Sequence, residues 1–229
     1  TQGLPESMLA EQLAEWEDRL PDTIKLAYLP SPGRVKLRLS STGTDRTLLQ
    51  ENIDREVKKI EQLIPQYIYS EDNEDLGSVI GGLLLKSNKT FATAESCTGG
   101  YIAHLITRVA GSSAYYKGSV IAYDNSIKVN ALNVSKDDIE IYGAVSREVV
   151  EQMALGIQQK MNADYTVATS GVAGPTGGTD EKPVGTVWIA VATPQGVISK
   201  KYLFGKQREV NIVRAAITAL GMLRKEIGD

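Results

Sequence analysis

The chain is poor in the residues that most often carry chemistry. It has one cysteine, Cys97, and one histidine, His104. A lone cysteine excludes an internal disulfide, and a reducing, cytoplasmic setting is expected. One Cys and one His are too few for a Cys/His zinc centre, so no metal is expected. A Ser-His-Asp triad could draw only on His104, which stands beside Leu105 and Ile106 at helical spacing and is expected on a helix surface. Any serine nucleophile here would therefore take a lysine, a tyrosinate or a carboxylate as its base. No apolar run approaches the roughly 20 residues of a spanning helix and no signal peptide is visible, so no membrane association is expected. Positive charge is not in excess either: 25 Lys and Arg stand against 28 Asp and Glu. A general nucleic-acid binder would lean the other way.

What is present is the composition of an ordinary globular protein. Apolar residues make up 42% and charged residues 23% of 229 positions, enough for one large domain or two smaller ones. Apolar residues at helical spacing predict a helix from Pro5 to Leu20. Strands are predicted at Ile24–Leu29 and Arg34–Leu39, then a helix from Asp45 to Leu63 and a third short strand at Gln66–Tyr69. This is a small α+β domain over 1–74. Arg34, Lys36 and Arg38 share one strand face, which reads as solvated rather than RNA-facing, because residues 1–89 hold 11 basic and 15 acidic side chains. The acidic, turn-like run Ser70–Asp75 marks the boundary.

From 75 to 229 strands and helices alternate, which predicts a three-layer α/β/α domain. Its first distinctive stretch is Thr93-Ala94-Glu95-Ser96-Cys97-Thr98-Gly99-Gly100, set between a short apolar strand and a helix. Ser96 is thereby placed at the carboxyl edge of a sheet, where open α/β folds bind ligands. The N–H groups of the following helical turn are expected to face whatever binds there. The same residue types also serve as helix caps and turn formers. The second distinctive stretch is Gly171-Val172-Ala173-Gly174-Pro175-Thr176-Gly177-Gly178, which follows a strand and presents bare backbone N–H groups suited to an anion. It lacks the Gly-Lys-Ser/Thr ending of a P-loop.

In order, Ala94–Gly100, Ala110–Ser113, Tyr123-Asp124-Asn125 with Lys128, Gly143–Ser146, Ser170–Pro175 with Gly177 and Gly178, and Lys182–Val187 form a set. This set resembles the carboxy-terminal domain of the CinA (competence/damage-inducible protein A) family over residues 75–229. Residues 1–74 are similar to that family's KH-like middle domain, without the Gly-x-x-Gly loop of nucleic-acid-binding KH domains. The resemblance implies that a molybdopterin-binding-like domain precedes this portion in the full-length protein, and that the protein is a homodimer. It also implies a nicotinamide-nucleotide amidase, a bacterial enzyme of pyridine nucleotide recycling. Such an enzyme would convert nicotinamide mononucleotide and water to nicotinic acid mononucleotide and ammonia, with no cofactor. The implied catalytic set is Ser96, Tyr123, Lys128 and Arg208. Arg214 is the fallback for Arg208, because Gly205-Lys206-Gln207-Arg208 is one residue longer than the family's Gly-Asp-Arg. The implied substrate contacts are Cys97, Thr98, Gly99, Gly100, Asn125, Ser170, Gly171, Ala173, Gly174, Gly177 and Gly178.

The chemistry of the residues agrees with that implication. Amide hydrolysis needs a nucleophile, a base that later protonates ammonia, and donors for the oxyanion. Ser96 can attack, a neutral Lys128 can take its proton, and Tyr123 can relay the proton or orient the lysine. The N–H groups of Cys97 and Thr98 suit the oxyanion, and the glycine-rich loop with Arg208 suits a phosphate. A non-catalytic nucleotide-binding regulatory module is the alternative. A Ser-Lys peptidase is a third reading, disfavoured because a glycine-rich anion loop has no use for a peptide.

Overall fold

The computed structural model describes residues 1–228. The chain divides into two compact units, Thr1–Asn73 and Glu74–Asp229. In the first, helix α1 (Glu6–Glu17) is followed by the hairpin of β1 (Ile24–Ser31) and β2 (Arg34–Ser41), and then by helix α2 (Arg46–Leu63). The strands pair antiparallel from Ile24 opposite Ser41 to Ser31 opposite Arg34. Alternation puts Val35, Leu37 and Leu39 against Leu9, Leu13, Trp16, Ile60 and Ile64. Lys36 and Arg38 lie on the exposed side. Trp16 Nε1 donates to Glu56 Oε2 at 2.9 Å, and Lys59 Nζ reaches Glu56 Oε1 at 2.7 Å, so this buried carboxylate is paired.

The strand expected at Gln66–Tyr69 is not formed. Thr1 and Gln2 meet the edge of β2 at Val35 and Arg34. Val35 N–H donates to Thr1 O, and Thr1 donates back to Val35 O. Gln2 bridges to Arg34, and its N–H donates to Tyr67 O. Tyr67 and Ile68 instead pack as side chains on the core.

The second unit opens with α3 (Leu76–Ser87), β3 (Phe91–Glu95), α4 (Tyr101–Thr107) and β4 (Tyr116–Ile121). Helices α5 (Asn125–Leu132), α6 (Lys136–Tyr142) and α7 (Arg147–Met161) follow. The chain then runs through β5 (Tyr165–Gly171), β6 (Thr186–Thr193), β7 (Gly196–Leu203) and α8 (Arg208–Gly228). One five-stranded sheet has the order β4-β3-β5-β6-β7. The first three strands are mutually parallel, and β6 and β7 are antiparallel additions. Helix α7, with α5 and α6 beside it, covers one face, while α8, α3 and α4 cover the other. This is a three-layer α/β/α arrangement.

The period of two along the strands explains the layering. Ala92, Ala94, Ala168, Ala190 and Ala192 face Val149, Val150, Met153, Ala154 and Ile157. Small residues on the sheet let α7 sit close. The same closeness fixes Gly156, where an added Cβ would fall 1.9 Å from Leu132 O at the end of α5. Asp164 staples the start of β5 to the start of β3. It accepts from Thr90 N–H at 2.8 Å, from Thr90 Oγ1 at 2.7 Å and from Lys89 Nζ at 2.9 Å. Because β3, β4 and β5 are parallel, their carboxyl ends fall on one edge of the sheet, and the segments that leave them meet there.

Candidate active site

Ser96 leaves the end of β3, its N–H donating to Thr169 O at 3.0 Å. The chain then turns sharply, with Gly99 N–H on Ser96 O at 3.1 Å and Gly99 and Gly100 at φ 59° and 97°. Glu95 governs this turn. It is the last residue of β3, points to the α4 side of the sheet and has no exposed surface. Its carboxylate accepts from Gly100 N–H at 3.0 Å, Ile102 N–H at 3.0 Å and Ala103 N–H at 2.8 Å. The expectation that the first turn of α4 offers its N–H groups to a ligand is therefore corrected, since Glu95 already occupies them. Before the helix, neither the Cys97 nor the Thr98 N–H is taken by an oxygen among the described residues. These two groups are the donors left beside Ser96.

Cys97 is buried next to the serine, and burial pushes its thiol up to about 12. Thr98 Oγ1 pairs with Thr169 Oγ1 at 2.7 Å, which ties the turn to β5. Ser96 Oγ has no hydrogen-bond partner among the described residues and stands at the edge of an open pocket of about 220 Å³.

Lys128 reaches the same pocket from α5, whose first turn is capped by Asp124 accepting from Ser126 N–H at 2.8 Å. Only 1% of Lys128 is exposed. Its Nζ donates to Ala122 O at 2.8 Å and to Tyr123 O at 3.4 Å. Loss of hydration pulls its pKa below the ordinary lysine value, against the opposing pull of Asp124 and Cys97. It is not the solvated lysine that its type would usually be. Tyr123 meets the lysine through its carbonyl, not its phenol. The expectation that the phenol orients Lys128 is corrected by this arrangement. The phenol instead accepts from Arg208 Nη2 at 2.9 Å.

Arg208, the first residue of α8, also donates from Nη1 to Gly174 O at 2.8 Å. It lines the pocket, whereas Arg214, exposed like Arg208, lies outside it. Asn125, Gly171 and Ala173 complete the lining from the sequence-derived set, together with Ser170. The Ser170 hydroxyl is already committed to Ala144 O at 2.7 Å. Thr98, Gly99, Gly100, Gly174, Gly177 and Gly178 are not in the lining. Of these, Gly174 acts on it through its carbonyl.

Four residues were not anticipated. Ala144 and Val145 line the pocket from the turn before α7. Glu95 and Asn211 stand behind it, both buried. The sequence does carry a signal for the last two. Each is a polar residue at a position where its neighbours' period predicts an apolar one.

The fold and the pocket define an α/β protein with a pocket at the carboxyl edge of its parallel strands, lined by a serine and a buried lysine. Comparison with known proteins assigns the family. The profile described as CinA C-terminal domain matches residues 73–227, and that described as damage-inducible protein CinA KH domain matches residues 1–70. The chain belongs to the CinA family. It is 48% identical over 227 residues to the CinA-like protein of Cytophaga hutchinsonii, covering 99% of this chain and 54% of that protein. The CinA-like protein of Flavobacterium psychrophilum is 49% identical over 228 residues, with coverage of 99% and 54%. The chain thus spans about half the length of these curated relatives. Among solved structures, the competence/damage inducible protein CihA of Agrobacterium tumefaciens superposes with a TM-score of 0.65 at 36% identity. That match covers 71% of this chain and 99% of the other. A CinA superfamily protein of Escherichia coli gives 0.64 at 30% identity, covering 71% and 98%.

Proposed function

We propose that residues 74–229 form an amidohydrolase acting on nicotinamide mononucleotide. The observation that carries this reading is the shared pocket of Ser96 and Lys128, with the lysine buried and its pKa lowered. In the proposed reaction Ser96 Oγ attacks the carboxamide carbon and its proton passes to neutral Lys128. The two carbonyls of Ala122 and Tyr123 engage two N–H bonds of that amine and leave one tetrahedral position for its lone pair. The oxyanion falls to the Cys97 N–H, whose residue lines the pocket, with the Thr98 N–H next to it in the same turn. Collapse breaks the C–N bond, and Lys128 returns the proton so that ammonia departs. Water then attacks the acyl-serine by the same route, giving the carboxylate and regenerating Ser96. Arg208, the guanidinium of the lining, holds the phosphate with the backbone at Gly171 and Ala173.

The alternative, a nucleotide-binding regulatory module without turnover, draws on a different observation: Ser96 Oγ has no base bonded to it. One assay separates the two. Purified protein is incubated with nicotinamide mononucleotide, and ammonia release is measured beside binding by calorimetry. Release supports the amidase, binding without release supports the module, and neither overturns both.

A further inference from the structure

We infer that Asn211 is a positioning residue that sets the arginine clamp of the pocket. This inference rests on the phosphate role proposed above for Arg208. Asn211 lies on the first turns of α8 and is 1% exposed. Its amide makes three hydrogen bonds, all to backbone. Nδ2 donates to Ala173 O and to Gly205 O, each at 2.9 Å, and Oδ1 accepts from Gly205 N–H at 3.0 Å. Both ends of the segment that frames Arg208 are thereby fixed to one side chain. Gly205 begins the turn that leads into α8, so holding it at both its N–H and its C=O fixes where Arg208 emerges. Ala173 lines the pocket and precedes Gly174, whose carbonyl receives the Arg208 guanidinium. The loop cannot drift far without losing this pairing. Gly174 sits at φ 88°, and Val184 lies within 2.4 Å of where its Cβ would be. A primary amide suits the task because it offers two donors and an acceptor in one plane. Leucine, aspartate or serine would each leave at least one buried backbone group unpaired.

Asn211 touches nothing in the pocket itself, so its effect passes through Arg208 and the loop. Removing it frees the Ala173–Gly174 peptide and loosens the guanidinium, with phosphate binding lost before the chemistry at Ser96. The test compares wild type with Asn211→Ala, whose folding is checked by thermal melting. Phenylglyoxal modification of Arg208 is followed by peptide mass spectrometry, with exposed Arg214 as the internal reference. The expected result is a several-fold rise in the Arg208 rate relative to Arg214. A rise of roughly tenfold in KM for nicotinamide mononucleotide, larger than any change in kcat, should accompany it. Asn211→Asp keeps the acceptor for Gly205 N–H and loses the donors to Ala173 O and Gly205 O, so it carries the same test if the alanine variant does not fold. An unchanged Arg208 to Arg214 ratio in a folded variant overturns the inference. The arginine chemistry needs no turnover. A wild-type protein that neither binds nor hydrolyses the mononucleotide would thus overturn the functional reading while the ratio still decides the role of Asn211.

Discussion

At the scale of single residues, two neighbours could serve as nucleophile in the proposed reaction, and their surroundings separate them. A thiol beside a helix start is often activated, but Cys97 is buried and its pKa is driven upward, so little thiolate is present near neutrality. Ser96→Ala is expected to lower kcat by roughly 10⁴ or more, the scale of losing a nucleophile. Cys97→Ala should stay within about tenfold of wild type, and iodoacetamide should inactivate slowly. Retained turnover in Ser96→Ala with loss in Cys97→Ala would move the chemistry one residue along. In the proposed reaction Lys128 sets the pH dependence. Its folded pKa is depressed, so the neutral base accumulates as pH rises through that value, below the ordinary lysine range of about 10.4. The acidic limb of kcat/KM should therefore rise with pH, and Lys128→Arg, which cannot deprotonate, should abolish it. The position of Ser96 at a strand-to-helix turn was legible in the sequence from the change of period on either side of it, whereas Lys128 entered only through the family resemblance, because nothing local marks a lysine as buried. The partner of the Tyr123 phenol was not legible, since it is fixed by an arginine 85 positions away.

At the scale of elements, two carboxylates hold the sheet and its helices in place. Glu95 is the intramolecular cap of α4, with three N–H donors in a fully buried setting. Glu95→Ala should destabilise the second unit by about 2–5 kcal/mol, measured by urea unfolding, because it orphans buried donors and a helix end together. Asp164 is the staple between β3 and β5. Burial pushes its carboxyl upward, but Lys89 and Thr90 outweigh this and hold it below the usual range. A depressed folded pKa contributes stability that is complete above the unfolded value of about 3.9 and fades as pH falls through the folded one. Asp164→Asn should flatten that acid limb of the melting temperature and leave the profile above about pH 5 parallel to wild type. The alternation of strands and helices in the second unit was readable from periodicity. The absent strand at Gln66–Tyr69 was not, because tertiary contacts decide which segment meets a sheet edge, and Tyr67 and Ile68 pack on the core instead. The closure of α4 by Glu95 was also hidden, since a strand residue's side chain reaching around a turn leaves no local pattern.

At the scale of the whole molecule, every residue of the pocket belongs to the second unit. A protein beginning at Glu74 is expected to keep most of the turnover of the full chain, measured as ammonia release. Its loss in a folded fragment would give the first unit a share in shaping the site. No helix among the described residues is long and apolar enough to cross a membrane. The buried carboxylate of Glu95 has one more consequence, for the end of the catalytic cycle. The proposed reaction turns a neutral carboxamide into an anion directly beside Ser96. An uncapped helix start there would attract that anion and hold it. With Glu95 in place the N–H groups of that start are already taken, so it offers the new anion no hold. The nicotinic acid mononucleotide should therefore leave readily and inhibit more weakly than its amide precursor binds, so that turnover is not throttled as product accumulates.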